Sequence, residues 1–308
     1  MNFLKKIFTK KKILVTHNGS FHADDLFASA VLSILNNEKV KIVRTRDPKI
    51  ISSGDYVYDV GGIYDPEKNL FDHHQKGGAG NRENGIPYSS FGLVWKTYGE
   101  KLCGSKEVAD KIDHKIVQPI DALDNGVDIS VPKFDGVFSY GAEQIFLAFS
   151  PTWQEDGKNI DDVFMDEVKD IIKILKREIT VAKSDYLGKE IILKAYEDSK
   201  DKKIIILDNP FPRYLIQNTL SVFSEPLYFI YPSNHSEFWK VEAIKENLNT
   251  MKSRKLFPEE WRGLMHGNPK LSEMTGVKDF KFCHASGFFL TVKSKEGAIK
   301  LAELALTE

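Results

Sequence analysis

The sequence predicts an α/β fold, and three observations predict it. The segment 13–16 is short, apolar and β-branched, which is typical of a buried strand. Apolar residues then recur at helical spacing over 26–35. Further strand-like segments follow at 41–45, 55–60 and 70–71. A strand, a helix and more strands in this order indicate the beginning of a parallel sheet with helices packed against it.

The rest of the chain is predicted to form a connecting helix and a second, smaller lobe. Apolar residues keep helical spacing over 161–200, and strand-like segments alternate with loops beyond it. The chain closes with a helix at 297–306 that Ser294 is placed to cap. We therefore expect a first domain at 12–160, a connecting helix at 161–200, and a C-terminal α/β or α+β lobe at 201–308.

Composition argues against several classes of protein. The 308 residues carry a formal net charge of −1, so a globally basic nucleic-acid-binding surface is excluded. Cys103 and Cys283 are far apart and lack metal-type spacing, which indicates a reducing compartment rather than a disulfide scaffold. No apolar segment reaches membrane-spanning length. The lysine-rich segment 1–12 lacks the features of a secretory signal, and we expect a cytoplasmic protein.

Histidines and aspartates follow three of the predicted strands at the point where each strand ends. His17 and His22 come after the first strand, and Asp59 closes the third. The segment 72–74, Asp-His-His, follows the fourth. Because the carboxyl ends of parallel strands lie at one edge of a sheet, these side chains are expected to converge there.

Imidazoles and carboxylates together are suited to borderline divalent ions. Six such residues exceed what one tetrahedral site needs, and they fit two ions about 3.5–4 Å apart with one bridging carboxylate. Asp59, which ends a central strand and precedes two glycines, is the natural bridge. Mn²⁺ is the best match, and Zn²⁺, Fe²⁺, Co²⁺ or Mg²⁺ are compatible with the same ligands. The predicted ligands are His17, His22, Asp24, Asp59, His73 and Asp121.

Asp59, Asp72 and His74 form the predicted catalytic group. His74 is expected to face the substrate, where it contacts phosphate or protonates the leaving oxygen. Asp72 is expected to orient a histidine ring. Each of these residues, like each predicted ligand, also has an ordinary structural explanation. A histidine at a strand end can bond to the backbone. An aspartate can stabilise the first turn of a helix or close a turn of a loop.

Asp121 and Asp124 are alternative candidates for the sixth metal ligand. They are three residues apart and share a face if the segment is helical. Asp124 with Asn125 also fits an Asx turn that closes at Gly126. The residues by themselves leave this choice open.

These segments resemble the motifs of the DHH phosphoesterase superfamily, and more closely those of the Myg family of DHH-type metal-dependent hydrolases. The resemblance extends over nearly the whole chain, with the motifs in the family's order. It places Asp121 at the fourth-motif aspartate. The segments that carry it are 16–24 (THNGSFHAD), 44–48 (RTRDP), 59–62 (DVGG), 64–66 (YDP), 72–75 (DHHQ), 120–126 (IDALDNG), 261–264 (WRGL) and 284–288 (HASGF).

The resemblance implies a DHH-type catalytic lobe built on a parallel sheet, a smaller C-terminal substrate-binding lobe, and a cleft between them. It also implies divalent-metal-dependent phosphodiester hydrolysis by a two-metal-activated water, with 3′-to-5′ exonuclease activity on RNA or short oligonucleotides. One departure is that His22 stands where most of the superfamily has an aspartate. The change removes a negative charge, so the superfamily's pyrophosphatase activity should not be carried over.

Substrate-binding residues are expected in both parts of the chain. The segment with His284, Ser286 and Gly287 resembles the family's substrate-clamping segment, and its glycine allows backbone N–H groups to approach a phosphate. A histidine packed beside aromatic residues is the ordinary alternative. Arginines are further candidates because the guanidinium fork matches phosphate oxygens. The arginines selected for phosphate contact are Arg46, Arg82, Arg213 and Arg262.

Two other functions are compatible with the same residues. One is hydrolysis of a small phosphate ester or anhydride, such as a nucleotide or polyphosphate. The other is a non-catalytic, metal-binding regulatory protein. The resemblance favours RNA or an oligonucleotide as the partner, with no membrane partner. The oligomeric state is left open, and a homo-oligomer is compatible with the sequence.

Overall fold

The computed structural model describes residues 11–308 except 156, 235 and 267. The chain divides into two compact units at the boundary between Lys183 and Ser184. The basic segment considered above lies outside the described residues over positions 1–10. None of the helices in the described ranges combines the length and the hydrophobicity that a membrane span requires.

The first unit contains a five-stranded, mostly parallel sheet, which confirms the predicted α/β class. Its strand order is β2-β1-β3-β5-β4. The first three strands and β5 run parallel, and β4 pairs antiparallel with β5 at the edge. The strands are β1 Lys12–Thr16, β2 Val40–Arg44, β3 Tyr56–Tyr58, β4 Tyr64–Asp65 and β5 Leu70–Phe71.

Helices α1 and α2 connect the first three strands of this sheet, and five more helices follow its last strand. A π-helical turn, Asp113–Val117, separates the helices Lys106–Ile112 and Gln118–Asp124. The last helix of the set continues across the boundary between the two units. The helices are α1 Ala23–Leu35, α2 Pro48–Ile51, α3 Ser90–Cys103, α4 Lys106–Ile112, α5 Gln118–Asp124, α6 Ala142–Leu147 and α7 Ile160–Asp198.

Alternation of side chains gives the first sheet two apolar faces. On one face, the Tyr58 hydroxyl lies 2.5 Å from Ser29 Oγ of α1. Helix α1 is buried along most of its length and packs on α3. This packing fixes the start of α1 against the carboxyl ends of the strands. On the opposite face lies a smaller apolar cluster, formed by Val15, Val57 and Val60.

The second unit contains a mixed five-stranded sheet in the order β6-β7-β8-β10-β9. Strand β6 runs parallel to β7, and the other neighbours are antiparallel. Ser294 accepts a hydrogen bond of 3.1 Å from the N–H of Gly297 and so caps the last helix, as the sequence predicts. The elements are β6 Ile204–Ile206, α8 Arg213–Leu220, β7 Tyr228–Pro232, β8 Trp239–Ala243, α9 Pro269–Thr275, β9 Phe280–Cys283, β10 Phe289–Val292 and α10 Lys295–Thr307.

Candidate metal centre

Side chains that follow three parallel strands meet at one edge of the first sheet. Nε2 of His17 lies 3.1 Å from Oδ2 of Asp59. Nε2 of His73 lies 3.3 Å from Oδ1 of the same carboxylate. Asp59 therefore stands between an imidazole that follows β1 and another that follows β5. The convergence expected from the strand ends is confirmed for these three residues.

The backbone at Asp59 is held in an unusual conformation. Its φ is +54°, in the left-handed region that aspartate tolerates better than most residues. Gly61 and Gly62, with φ of +99° and +69°, complete the turn. The N–H of Asp59 donates to the carbonyl of Phe71, and the N–H of Gly62 donates to the Asp72 carboxylate. These bonds to β5 and the segment after it hold the strained turn, which is typical of functional sites.

The start of α1 brings two more carboxylates to the site. Oδ1 of Asp25 accepts a hydrogen bond of 3.0 Å from the N–H of His22, and its Oδ2 lies 3.3 Å from Nε2 of His17. Asp25 is therefore a member of the cluster, although the sequence-based prediction did not include it. Its position beside Asp24 was the only sequence signal for this role.

Asp24 supplies the test of whether a cation fits here. The residue is fully buried, and neither carboxylate oxygen has a hydrogen-bond donor among the described residues. The ion pair of Asp24 with Nε2 of His73 is long, at 3.9 Å. Burying a carboxylate that accepts no hydrogen bond is costly, whereas a bound cation would stabilise it. The donor set fits divalent metal ions. Three overlapping groups hold ligand atoms within 4.8 Å of one another, namely His17, His22 and Asp59; Asp59, His73 and His74; and His22, Asp24 and Asp124.

Asp59 and His22 each belong to two of these groups. The carboxylate that the sequence selects as a bridge therefore has the position that a shared ligand requires. His22, which is exposed, closes the cluster on its outer side. The donor types match the borderline divalent metals.

The structure reverses the preference for Asp121 over Asp124. Oδ2 of Asp124 lies 3.3 Å from Nε2 of His73, inside the cluster. Both oxygens of Asp121 are already occupied. They accept hydrogen bonds from Arg82, at 2.6 Å, and from the Ser89 hydroxyl and the Gly92 N–H. Asp121 is therefore placed as a buried structural acceptor, and Asp124 as the candidate ligand.

Gly92 makes this buried arrangement sterically feasible. A Cβ atom at this position of α3 would collide with the Asp121 carboxylate. The missing side chain allows the helix backbone to approach closely enough to donate its N–H. Asp121 thereby ties α5 to α3, and Asp124 lies one turn further along the same short helix.

Arg82 has a different task from the phosphate contact that the sequence suggests. Its side chain is only 8% exposed and is ion-paired with Asp121 and, at 2.9 Å, with Asp113. Its guanidinium also lies 4.2 Å from the centre of the Tyr88 ring. The loop 77–87 is therefore anchored to α5 and to the π-helical turn.

Asp72 holds His74 as the sequence predicts. Oδ1 of Asp72 accepts a hydrogen bond of 3.0 Å from the His74 N–H and lies 2.9 Å from His74 Nδ1. The His74 side chain is 62% exposed and lines a cavity of about 240 Å³. Arg46 also lines this cavity, together with His17, His22 and Asp59.

Burial and charge set the protonation of the cluster. Burial lowers the pKa of His17, but the hydrogen bond with Asp59 and the charge of Asp25 outweigh it, so this pKa is raised. The pKa of His73 is raised by the same balance, with Asp59 and Asp124 as its main partners. Burial opposes ionisation of Asp59, yet the two imidazoles hold its pKa below the ordinary value.

The carboxylates on α1 behave in the opposite way. Burial, followed by the charge of Asp59, raises the pKa of Asp25 to about 8. The same two causes raise the pKa of Asp24 well above its ordinary value. In the absence of metal, His17, His73 and the two α1 carboxyls therefore keep their protons to higher pH than the free side chains do. A metal ion would bind in competition with these protons.

Nearly the whole chain matches a known protein family. The family model MYG1_exonuc, described as an uncharacterised protein family (UPF0160), matches residues 13–306. The chain belongs to this family. The MYG1 protein of Dictyostelium discoideum is 31% identical over 96% of this chain and 96% of its own length. The human MYG1 exonuclease is 28% identical over 95% of this chain and 85% of its own length.

Among solved structures, the chain is similar to RecJ from Thermus thermophilus in complex with Mn²⁺. The similarity covers 97% of this chain and 52% of that one, at 12% identity and a TM-score of 0.27. A RecJ structure with Mg²⁺ from the same organism matches with a TM-score of 0.29 at 10% identity, over 97% of this chain and 50% of that one.

The family's predicted clamping segment lies in the second unit, in the turn between β9 and β10. Nδ1 of His284 accepts a hydrogen bond of 3.0 Å from the N–H of Ser286. Gly287 has a φ of +68°, and the Arg262 side chain packs against it. The His284 ring lies 4.7 Å from that of Phe288, so the aromatic packing weighed as an alternative is present. The substrate role of this turn stays a prediction.

The two arginines of the second unit that the sequence selects for phosphate contact already have partners. Arg213 is ion-paired with the buried Glu242, which also accepts a hydrogen bond from Tyr231. Nε of Arg262 donates to the carbonyl of Phe257 at 2.9 Å. Arg213 is more exposed than Glu242 and lies over the Phe288 ring at 5.2 Å. Phosphate contact by either arginine stays a prediction.

Two substitutions distinguish the tasks of Asp121 and Asp124. Asp121→Asn removes one of the two acidic partners of the buried Arg82 guanidinium, and we expect it to destabilise the metal-free protein by about 3 kcal/mol. The loss stays at this level because Asp113 still faces the guanidinium. Asp124→Asn should leave the stability of the metal-free protein nearly unchanged and weaken metal binding about tenfold or more. Thermal unfolding and metal titration measure the two effects. Loss of metal binding in Asp121→Asn at unchanged stability would restore the sequence-based assignment.

The raised pKa values predict that metal stabilises the protein increasingly as pH rises. In the metal-free folded state Asp25, with a pKa of about 8, holds a proton that the unfolded chain releases above about pH 4. The folded state then binds more protons, so its stability falls as pH rises through this range. His17 and His73 act in the same direction, because a raised pKa stabilises the fold only while the imidazole stays protonated.

Metal ions replace these protons and remove the loss. Melting temperatures measured with and without Mn²⁺ should therefore diverge between about pH 5 and pH 8. If the difference between the two melting temperatures stays constant over this pH range, the cluster does not bind protons in competition with metal.

Proposed function

We propose that the protein is a divalent-metal-dependent phosphodiesterase, and more specifically an exonuclease that acts on RNA or short oligonucleotides from the 3′ end. The observation that carries the proposal is the Asp59 carboxylate shared by two imidazoles beside the buried Asp24, whose oxygens accept no hydrogen bond from the described residues. The names of the mammalian relatives, MYG1 exonuclease, support the nuclease activity. The RNA substrate and the 3′-to-5′ direction are inferred from the motif resemblance.

We assign the metal ligands from the cluster geometry. Two divalent ions, Mn²⁺ in our proposal, would supply an activated water and stabilise charge on the phosphoryl oxygens. Asp59 is the residue placed to bridge them, because both of its oxygens face imidazoles. Oδ2 of Asp25 lies 3.3 Å from Nε2 of His17, the same nitrogen that faces Asp59. The proposed ligands are His17, His22, Asp24, Asp59, His73 and Asp124.

His74 is the residue best placed to move a proton. Asp72 holds its Nδ1 side, so the exposed Nε2 is directed away from that carboxylate. An imidazole held in this way can donate a proton to the leaving oxygen of the substrate. Its distance of 3.4 Å to Asp59 keeps it beside the metal cluster.

Arg46 is the proposed phosphate contact of the first unit. It is exposed and lines the same cavity as His74, and no ion pair to it is found within the described part of the chain. Its guanidinium is therefore available to bind two phosphate oxygens at once. In a chain of net charge −1, such local cations and the metal ions supply the positive charge that a polyanion requires.

Asp59→Asn should abolish both metal binding and turnover. The amide cannot bridge two cations and no longer lowers the energy of the neighbouring imidazolium groups. The assay is stepwise shortening of a 5′-labelled oligoribonucleotide, with a 3′-blocked strand to test direction and pyrophosphate to test small anhydrides. Asp170→Asn on the exposed side of α7 is the matched control. Full activity in Asp59→Asn would contradict the proposal.

His74→Ala should lower turnover about 100-fold while most of the bound metal is retained, because the side chain acts on the substrate rather than as a required ligand. Metal content by elemental analysis and single-turnover rates measure the two quantities. His114→Ala, also exposed, is the control. If His74→Ala and Asp59→Asn lose metal equally, His74 is a ligand and not a proton donor.

A further inference from the structure

A larger cavity, of about 710 Å³, adjoins the metal centre on the sheet face opposite α1. The volume is within the range of about 300–1,000 Å³ that small-molecule sites occupy. Its walls are mainly aliphatic, and no carboxylate is among the described residues that line it. The apolar side chains of these walls are Ile51, Val57, Val60, Ile63 and Leu70.

The two cavities share a wall. Val60 and Gly61 line both of them, and both residues belong to the turn that begins at Asp59. Arg46 also lines both cavities. A molecule with its phosphate beside Arg46 and the metal cluster could therefore extend past this turn into the aliphatic cavity.

The charges at the rim fit a ligand with one anionic end and one apolar end. Arg46 is exposed at the shared wall. Lys68 lies at another part of the rim, where it is paired with Asp65 at 2.7 Å. Ile63 is 54% exposed, which is unusual for an isoleucine and leaves an uncovered apolar surface at the cavity.

We propose that this cavity binds the base and ribose of the terminal nucleotide, whose phosphate lies at the metal cluster. The inference rests on the proposed function and names the part of the substrate that this unit holds. Aliphatic side chains pack against the flat faces of a base. Among the described residues that line the cavity, Arg46 and Lys68 at the rim are the charged side chains that could bond to base edges. The cavity should therefore accept all four bases with little discrimination.

The test compares two phosphates that differ only in the base. Adenosine 5′-monophosphate and ribose 5-phosphate are titrated into the full chain with Mn²⁺ by calorimetry. We expect the nucleotide to bind at least about tenfold more tightly. Ile63→Asn and Ile51→Ala should each reduce this ratio several-fold and leave the affinity for ribose 5-phosphate unchanged. Ile174→Asn, an isoleucine that is 43% exposed on α7, is the matched control and should keep the wild-type ratio.

The outcomes separate this inference from the proposed function. If the wild-type protein hydrolyses no oligonucleotide but still prefers the nucleotide in an Ile63-dependent way, the function fails and the cavity assignment stands. If it hydrolyses oligonucleotides but binds both phosphates equally, or if Ile63→Asn weakens both equally, the cavity assignment is overturned. It is also overturned if Ile63→Asn converts a dimer into monomers, because the cavity would then be covered by a second copy.

Discussion

The contact of the Asp59 carboxylate with His17 and His73 is the constraint on which the rest of the first unit depends. It joins the ends of β1, β3 and the segment after β5 in one place. The parallel sheet provides these ends at a common edge, and the left-handed backbone at Asp59 directs the carboxylate into it. The local strain of this turn is balanced by hydrogen bonds to Phe71 and Asp72.

Around this contact the protein buries more carboxyl groups than its own cationic side chains pair with. Asp24 and Asp25 are both fully buried at the start of α1, and burial raises the pKa of each. Such an arrangement is costly without a cation and becomes favourable with one. Stability and function are therefore linked at this edge, because the groups that weaken the metal-free fold are the groups that bind metal.

A second layer of polar contacts positions the cluster. Asp72 holds the ring of His74, while the buried pair of Arg82 and Asp121 joins the loop 77–87 to α5. Neither contact requires a ligand to form. Both contacts fix the orientation of side chains around the cavity. This is the general role of the groups that bond to the ligands of a metal site.

The sequence by itself determined the α/β class, the limits of the main helices and strands, and the histidines and aspartates at the strand ends. These features follow from local periodicity and from the geometry of parallel strands. Only the tertiary structure decided between Asp121 and Asp124, because the choice depends on Arg82, 39 residues away from Asp121 in the chain. It also decided the place of Asp25 and the short edge strand β4, since the first depends on a contact with His17 and the second has too few residues to show a period.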